Sequence, residues 1–311
     1  MVRRNEIDTA YAALLIPNAD RFSNHHSREH CSANRSQIRM MGLYPGQQVR
    51  IERPTASGTT IALYTIIDAH DEESNSVFVD YNDPDDVEKR FGLSGTGSFR
   101  GRINAQVAAV GLTDAEAEAY SEFIEHLADD DYNSKLVVIA PHGGNIEEHT
   151  DEQAEYVAEQ LSSKCVSVWI CKGFKTGGGA FNRWHITSTD ISEESFPKLK
   201  TIYGRHFKYA IAFHGWSGDS ICIGGSSQDP EDHTKEDIKE AIEDVVHGSE
   251  IEVAMGGPTC PEDFNGNDPK NIVNRLGRTG VQIEQCERAR DDYGSRIAEA
   301  VAKVIRPKLT V

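Results

Sequence analysis

The chain has 311 residues, enough for one large domain or two of ordinary size and for a full buried core without disulfide staples. Its 32 Lys and Arg stand against 50 Asp and Glu, and the net charge of −18 argues against nucleic acid or an anionic membrane as the main partner. The longest clean apolar run, Leu136 to Ala140, falls far short of the roughly 20 residues that span a bilayer. The start carries Glu6 and Asp8 ahead of a short apolar patch and does not read as a signal peptide. The cytoplasm is therefore the default expectation, with release by another route left open. The six cysteines (Cys31, Cys165, Cys171, Cys222, Cys260 and Cys286) form no C-x-x-C and read as reduced, mostly buried thiols.

In chain order, residues 1–31 read as a polar tail; His25, His26 and His30 are metal-competent but have no partner set around them. Residues 32–110 read as a small β-rich accessory domain. Gln47–Arg53, Thr59–Ile67 and Ser76–Tyr81 are strand-like, with Gly, Pro and Asn or Asp between them, and Phe91–Gly101 supplies loop glycines. Residues 111–311 alternate strand and helix. Thr113 with Glu116 makes a capping box, followed by Tyr120, Phe123, Ile124 and Leu127 at helical spacing. Lys135–Ala140, Val166–Cys171, Tyr209–Phe213 and Gly280–Gln285 are strands. Capped helices start at Thr150, paired with Gln153, and at Thr234, with Ile238, Ala241, Ile242 and Val245 inward; Ile297, Val301, Val304 and Ile305 mark a closing helix. This alternation predicts an α/β fold with a mostly parallel or mixed sheet flanked by helices, and functional groups at the strands' carboxyl ends.

Three strand ends carry chemistry. The first runs into Pro141-His142-Gly143-Gly144-Asn145-Ile146-Glu147, where paired glycines let the backbone bend so that an imidazole and a carboxylate can converge. The strand Tyr209–Phe213 ends in His214-Gly215. Two His and one Glu with an open fourth position make the ligand set of hydrolytic zinc. In the last strand Val281 and Ile283 face one way, so Gln282 and Glu284 face the other, and Glu284 is either a satisfied core carboxylate or a catalytic base. Taken singly, His142 reads as a loop residue, Glu147 as a helix-start acid and His214 as packing; only jointly do they point to a metal. A serine esterase using Ser217 would need G-x-S-x-G, and Gly215-Trp216-Ser217-Gly218-Asp219 lacks the final glycine. Gly173–Gly179 has glycines without the order of a phosphate loop and reads as a mobile substrate loop or a plain turn.

At these residues the chain resembles the poly-γ-glutamate hydrolase family, which is similar in fold to zinc carboxypeptidases. The family's first motif, near H-G-G-x-I-E-x-G-T-x-E, stands here as His142 to Glu152, with His149 where the family usually has glycine. Its F-H-G strand end matches Phe213-His214-Gly215. Its N-x-x-N-R and G-V-Q-L-E blocks match Asn271–Arg275 and Gly280–Glu284, and Trp184–Thr189 resembles a further block. The likeness runs from about residue 115 to 305 with the motifs in family order.

What the resemblance implies is Zn²⁺ held by His142, Glu147 and His214, with Glu284 as general base and acid. Arg275 would anchor a substrate carboxylate, with Asn274 beside it; His185, Arg183 and Lys175 are weaker candidates for further substrate carboxylates, each with surface or core as its rival reading. The implied substrate is an anionic polymer or peptide joined by γ-glutamyl amides. Arg183, Arg275, Arg278 and Lys172 are the cations from which a local positive patch could be built in so acidic a chain. A non-catalytic binding module for an anionic polymer is the rival reading, and oligomeric state is not legible.

Overall fold

In the computed structural model the described residues are 10–17, 28–56, 58–72, 75–79, 90–91, 98–161 and 166–309. The chain forms two compact units, Met1–Ala109 with Gly179–Phe196, and Val110–Gly178 with Pro197–Val311.

The first unit is a closed six-stranded barrel. Its strands are β1 (Ala10–Pro17), β2 (His30–Asn34), β3 (Gln48–Thr55), β4 (Gly58–His70), β5 (Ser76–Val79) and β6 (Phe99–Asn104), in the order β1-β5-β2-β4-β3-β6. Closure removes exposed strand edges, and Leu15, Ala33, Val49, Ile51, Ala62, Tyr64, Ile66, Val77 and Ile103 fill the interior. Gly101 lies where β6 meets β3: a Cβ there would come within 2.6 Å of both the Glu52 carbonyl oxygen and Leu15 Cδ1. Strand β1 and the first two residues of β2 fall in the segment read from sequence as a tail, and β6 begins in the run read as loop glycines. His30 is bonded to Asp190, Nε2 to Oδ2, at 2.7 Å. His25 and His26 lie outside the described residues.

The second unit is a seven-stranded mixed sheet. It comprises β7 (Phe123–Ala128), β8 (Leu136–Gly144), β9 (Val166–Gly173), β10 (Phe207–Trp216), β11 (Ile221–Gly224), β12 (Val253–Ala254) and β13 (Gly277–Cys286), ordered β12-β11-β13-β10-β8-β9-β7. The central strands β13, β10, β8 and β9 run parallel, whereas β7 lies antiparallel to β9 and β11 antiparallel to β13. Strands covered on both faces read as continuous apolar runs, and β8, β9 and β10 do so. Helices Thr150–Leu161, Thr234–Val246 and Glu287–Lys308 give Ala154, Val157, Ile238, Ile242, Ile297, Val301 and Ile305 to the core. No helix among the described residues is long and apolar enough to cross a membrane.

Several local expectations need correction. The Thr113 capping box forms, but its helix spans only Asp114–Tyr120: Ser121 turns left-handed at φ 54° and Phe123–Ala128 pairs with β9 instead. Thr150 and Gln153 make no capping box. The Thr150 hydroxyl donates to the Glu147 carbonyl, and Gln153 Nε2 reaches Gln285 Oε1 at 2.8 Å. At the third helix it is Asp232, not Thr234, that takes an end N–H, and Val246 joins the buried stripe while Val245 packs partly buried against the core. The cysteines are not all reduced: Cys222 on β11 and Cys260 are disulfide-bonded across a Cα separation of 5.6 Å. Cys31, Cys171 and Cys286 are free and buried, and Cys165 lies outside the described residues.

Candidate metal centre

His142 sits at the buried carboxyl end of β8, which continues through Gly144. The two glycines after it answer to packing. A Cβ on Gly143 would lie 2.6 Å from Asp151 Cβ and 3.0 Å from the Cys171 carbonyl oxygen, so the helix Thr150–Leu161 seats directly on this backbone. Gly144 has φ +68°, a conformation that costs glycine little. The chain then closes a turn in which the Glu147 N–H donates to the His142 carbonyl at 2.9 Å, while Thr150 binds the Glu147 carbonyl through its hydroxyl at 2.8 Å. That turn returns the Glu147 side chain to His142.

His214 comes from β10, and the register of β10 against β13 sets it opposite Glu284. The three groups form a tight triangle. His142 Nδ1 is 3.1 Å from Glu147 Oε1, His214 Nδ1 is 3.4 Å from Glu147 Oε2, and the two Nδ1 atoms are 3.2 Å apart. The Gly215 N–H donates to Glu147 Oε2 at 2.9 Å and fixes the carboxylate plane. All three residues are at most 5 % exposed. Two imidazoles and one carboxylate are a donor set that a divalent cation accepts.

The two carboxyls of the cluster are pushed apart. Burial raises the pKa of Glu147, but the charge and hydrogen bond of His142, followed by those of His214, outweigh it and hold the group well below the usual carboxylate range. Glu284 is pushed well above that range, by burial first and by the Glu147 charge second, against the opposing pull of Arg290 and of a hydrogen bond from Gln282. Gln282 Nε2 donates to Glu284 Oε1 at 2.8 Å, and Asn271 Nδ2 donates to Gln282 Oε1 at 2.6 Å. The β-strand alternation had put Gln282 and Glu284 on one face; the Asn271 link had no signal in the spacing.

The other expected residues each have contacts of their own. The Arg275 guanidinium lies over the Tyr203 ring, its carbon 4.9 Å from the centroid, with Nε donating to the Tyr203 hydroxyl at 3.1 Å. The Asn274 amide pins loops: Oδ1 accepts from Ser226 N at 3.1 Å and Nδ2 donates to the Gly266 and Asp268 carbonyls at 2.6 and 2.9 Å. His185 and Arg183 belong to the barrel unit, where His185 Nδ1 bonds Glu29 and Arg183 stacks on Trp184. Lys172 is unavailable for a positive patch, because Asp114, Asp151 and Glu155 all bind its ammonium within 3.0 Å. His149 is left-handed, with φ 72°, and is paired with Glu152 and Asp291. Ser217 is exposed beyond β10, while His214, the histidine nearest it in sequence, gives its Nδ1 edge to Glu147 and His142.

The fold is an α/β sheet whose parallel strand ends gather this cluster. Residues 112–301 match the family described as Poly-gamma-glutamate hydrolase, and the chain belongs to that family. Among curated proteins it is similar to the UPF0714 proteins YmaC and YndL of Bacillus subtilis. Identity is 29 % to the first, over 51 % of this chain and 62 % of that protein, and 30 % to the second, over 49 % and 52 %. The chain thus spans between half and two thirds of the length of these relatives. Among solved structures, a bacteriophage poly-gamma-glutamate hydrolase covers 60 % of this chain and 86 % of its own, with 21 % identity and a TM-score of 0.43. A structure titled as zinc-free YndL covers 62 % and 96 %, with 21 % identity and a TM-score of 0.45.

Proposed function

We propose that the protein is a zinc-dependent hydrolase of γ-glutamyl amide bonds, with a zinc carboxypeptidase-like catalytic unit and poly-γ-glutamate as its favoured substrate. The observation that carries this is the triangle of His142, Glu147 and His214. Donors arranged tetrahedrally at about 2.0–2.1 Å from one ion stand roughly 3.4 Å from one another. The two imidazole nitrogens stand 3.2 Å apart and lie 3.1 and 3.4 Å from the two different Glu147 oxygens, near that edge length, and the residue set suits three protein ligands with one open position. A zinc ion bound there would supply Lewis acidity toward the scissile carbonyl and bring water's pKa near neutrality.

The chain's own residues do the rest. The Gly215 N–H and the His142–Thr150 turn keep the Glu147 carboxylate in place. Glu284, fixed through Oε1 by Gln282, accepts the proton of the attacking water and passes it to the leaving amine. Every unit of a γ-linked glutamate chain keeps an α-carboxylate, and a guanidinium grips such a group in a planar fork. Tyr203 aims the Arg275 guanidinium for that task, and Asn274 serves by pinning the loops around it. His185 and Arg183 are further contacts for substrate carboxylates. The Cys222–Cys260 disulfide favours action in an oxidising compartment over the cytoplasm read from the chain's start.

The test is metal content of the purified protein, followed by poly-γ-glutamate cleavage with and without a chelator. About one zinc per chain, lost together with cleavage in His214→Ala, is the expected result. Full cleavage by metal-free protein would end the zinc reading, and stoichiometric binding of the polymer without cleavage would leave a binding module.

A further inference from the structure

Strand β11 lies antiparallel beside β13, with Cys222 opposite Glu284 and Gly224 opposite Gln282. Directly opposed residues of an antiparallel pair present their side chains on one face, so Cys222 shares the face of Glu284. The loop 255–271, between β12 and the helix Ile272–Leu276, is fastened to both of these β11 positions. At Cys222 the tie is the disulfide to Cys260. At Gly224 it is a close backbone approach: a Cβ there would press on the Asn265 carbonyl and lie 2.7 Å from that of Phe264. The Gly225 N–H donates to the Asn265 carbonyl at 2.8 Å, and the Ser220 hydroxyl donates to the Thr259 carbonyl at 2.9 Å. Little else secures this edge of the sheet. Strand β11 has four residues and β12 two, and of residues 255–270 only Cys260 and Gly266 are buried. The loop ends at the buried Asn271, whose amide holds Gln282 at 2.6 Å, and Gln282 in turn holds Glu284 at 2.8 Å.

We propose that the Cys222–Cys260 disulfide is a positioning element for Glu284: it clamps the loop 255–271 onto the face of β11 beside that carboxyl and so keeps the Asn271–Gln282–Glu284 chain of hydrogen bonds in place. The inference rests on the base role given to Glu284 above. The clamp reaches the base from two directions, across the strand pair from Cys222 and along the loop through Asn271. His142, Glu147 and His214 stand on β8, the turn after it and β10, so opening the clamp slows turnover and leaves the metal ligands as they are.

The experiment is a mutant cycle in the full-length chain, assayed on poly-γ-glutamate, with zinc analysis and the ¹⁵N side-chain amide signal of Gln282 as readouts independent of cleavage. Cys260→Ala should lower kcat about three- to tenfold, the weight of one neutral hydrogen bond, with KM within about twofold and zinc content unchanged. The Gln282 amide signal should shift with it. Gln282→Ala should lower kcat at least as far, and adding Cys260→Ala to that background should change it no further. Should Cys260→Ala fail to fold, a dithiol reductant applied to the folded wild type runs the same comparison. It converts the S–S bond to two thiols while closing into its own cyclic disulfide, and is removed and zinc restored before the assay. An unchanged kcat in Cys260→Ala or in Gln282→Ala, with Glu284→Gln inactive, would overturn the proposal alone. Raised KM or lost zinc in place of lowered kcat would overturn it too, as would an equal kcat loss on both backgrounds, which marks an effect through the fold. Near-normal turnover in Glu284→Gln would remove the base role of Glu284 and the proposal with it.

Discussion

Glu147 and Glu284 are buried carboxyls of one strand-end cluster whose surroundings push their proton affinities in opposite directions, and in the function proposed above the first is a zinc ligand and the second the base. Glu284→Gln should therefore keep its zinc and lose about a hundredfold or more in turnover, since positioned proton transfer contributes roughly 10²–10⁴. Parallel metal analysis and single-turnover kinetics check this, and loss of zinc would make Glu284 a ligand instead. Glu29 gives a second test. Burial works to raise its pKa, but the charge and hydrogen bond of His185, then Arg90 and the Thr187 N–H, hold it down at about 2 against an ordinary 4.5. A depressed carboxyl stabilises the fold fully above its unfolded pKa, and that stability drains away as pH falls from about 4.5 through about 2. The contribution is on the order of 3 kcal/mol. Urea unfolding of wild type and Glu29→Gln at pH 7, 5 and 3 should show a gap that holds from 7 to 5 and narrows at 3. His142, Glu147, His214 and Glu284 could be found in the sequence because each follows or lies within an apolar strand run. Glu29 could not, because its partners lie more than 150 positions along the chain.

At the scale of elements, the motif around His142 depends on how closely the helix Thr150–Leu161 approaches β8. Gly143→Ala would set a methyl 2.6 Å from Asp151 Cβ, inside any real carbon contact. Helix or strand must shift, and the expected cost is about 1–3 kcal/mol, as for overpacking elsewhere. Because Glu147 hangs on the turn between the two elements, zinc affinity should fall together with the unfolding temperature; calorimetry and zinc titration on one sample check both. Of the four parallel strands, β8, β9 and β10 were legible as continuous apolar runs and β13 by the alternation of Val281 and Ile283 with Gln282 and Glu284. The short β11 and β12 were not, since four and two residues carry no periodicity. Phe123–Leu127 misled for a related reason: the capping box begins a real helix, but Ser121 stops it and the edge of β9 takes the next residues.

For the whole molecule, a net charge of −18 opposes a polyanionic substrate, and Lys172 does nothing to relieve it because three acids hold its ammonium. Raising salt shortens the screening length from about 10 Å at 0.1 M to about 3 Å at 1 M. kcat/KM on poly-γ-glutamate should accordingly rise over that range, and a steady fall would point to a dominant positive patch at the site. The alternation of strand and helix revealed the hydrolase unit in the sequence, but nothing local showed that the chain leaves it at 178/179 and returns at 196/197. That excursion bears on descent. Trp184, Ile186, Ile191 and Phe196 are buried within the barrel's unit. A gene fragment cut at the borders of the family match would carry these apolar side chains away from the strands they fold with. Recombination that kept Gly179–Phe196 with its folding partners would therefore have to move the barrel too.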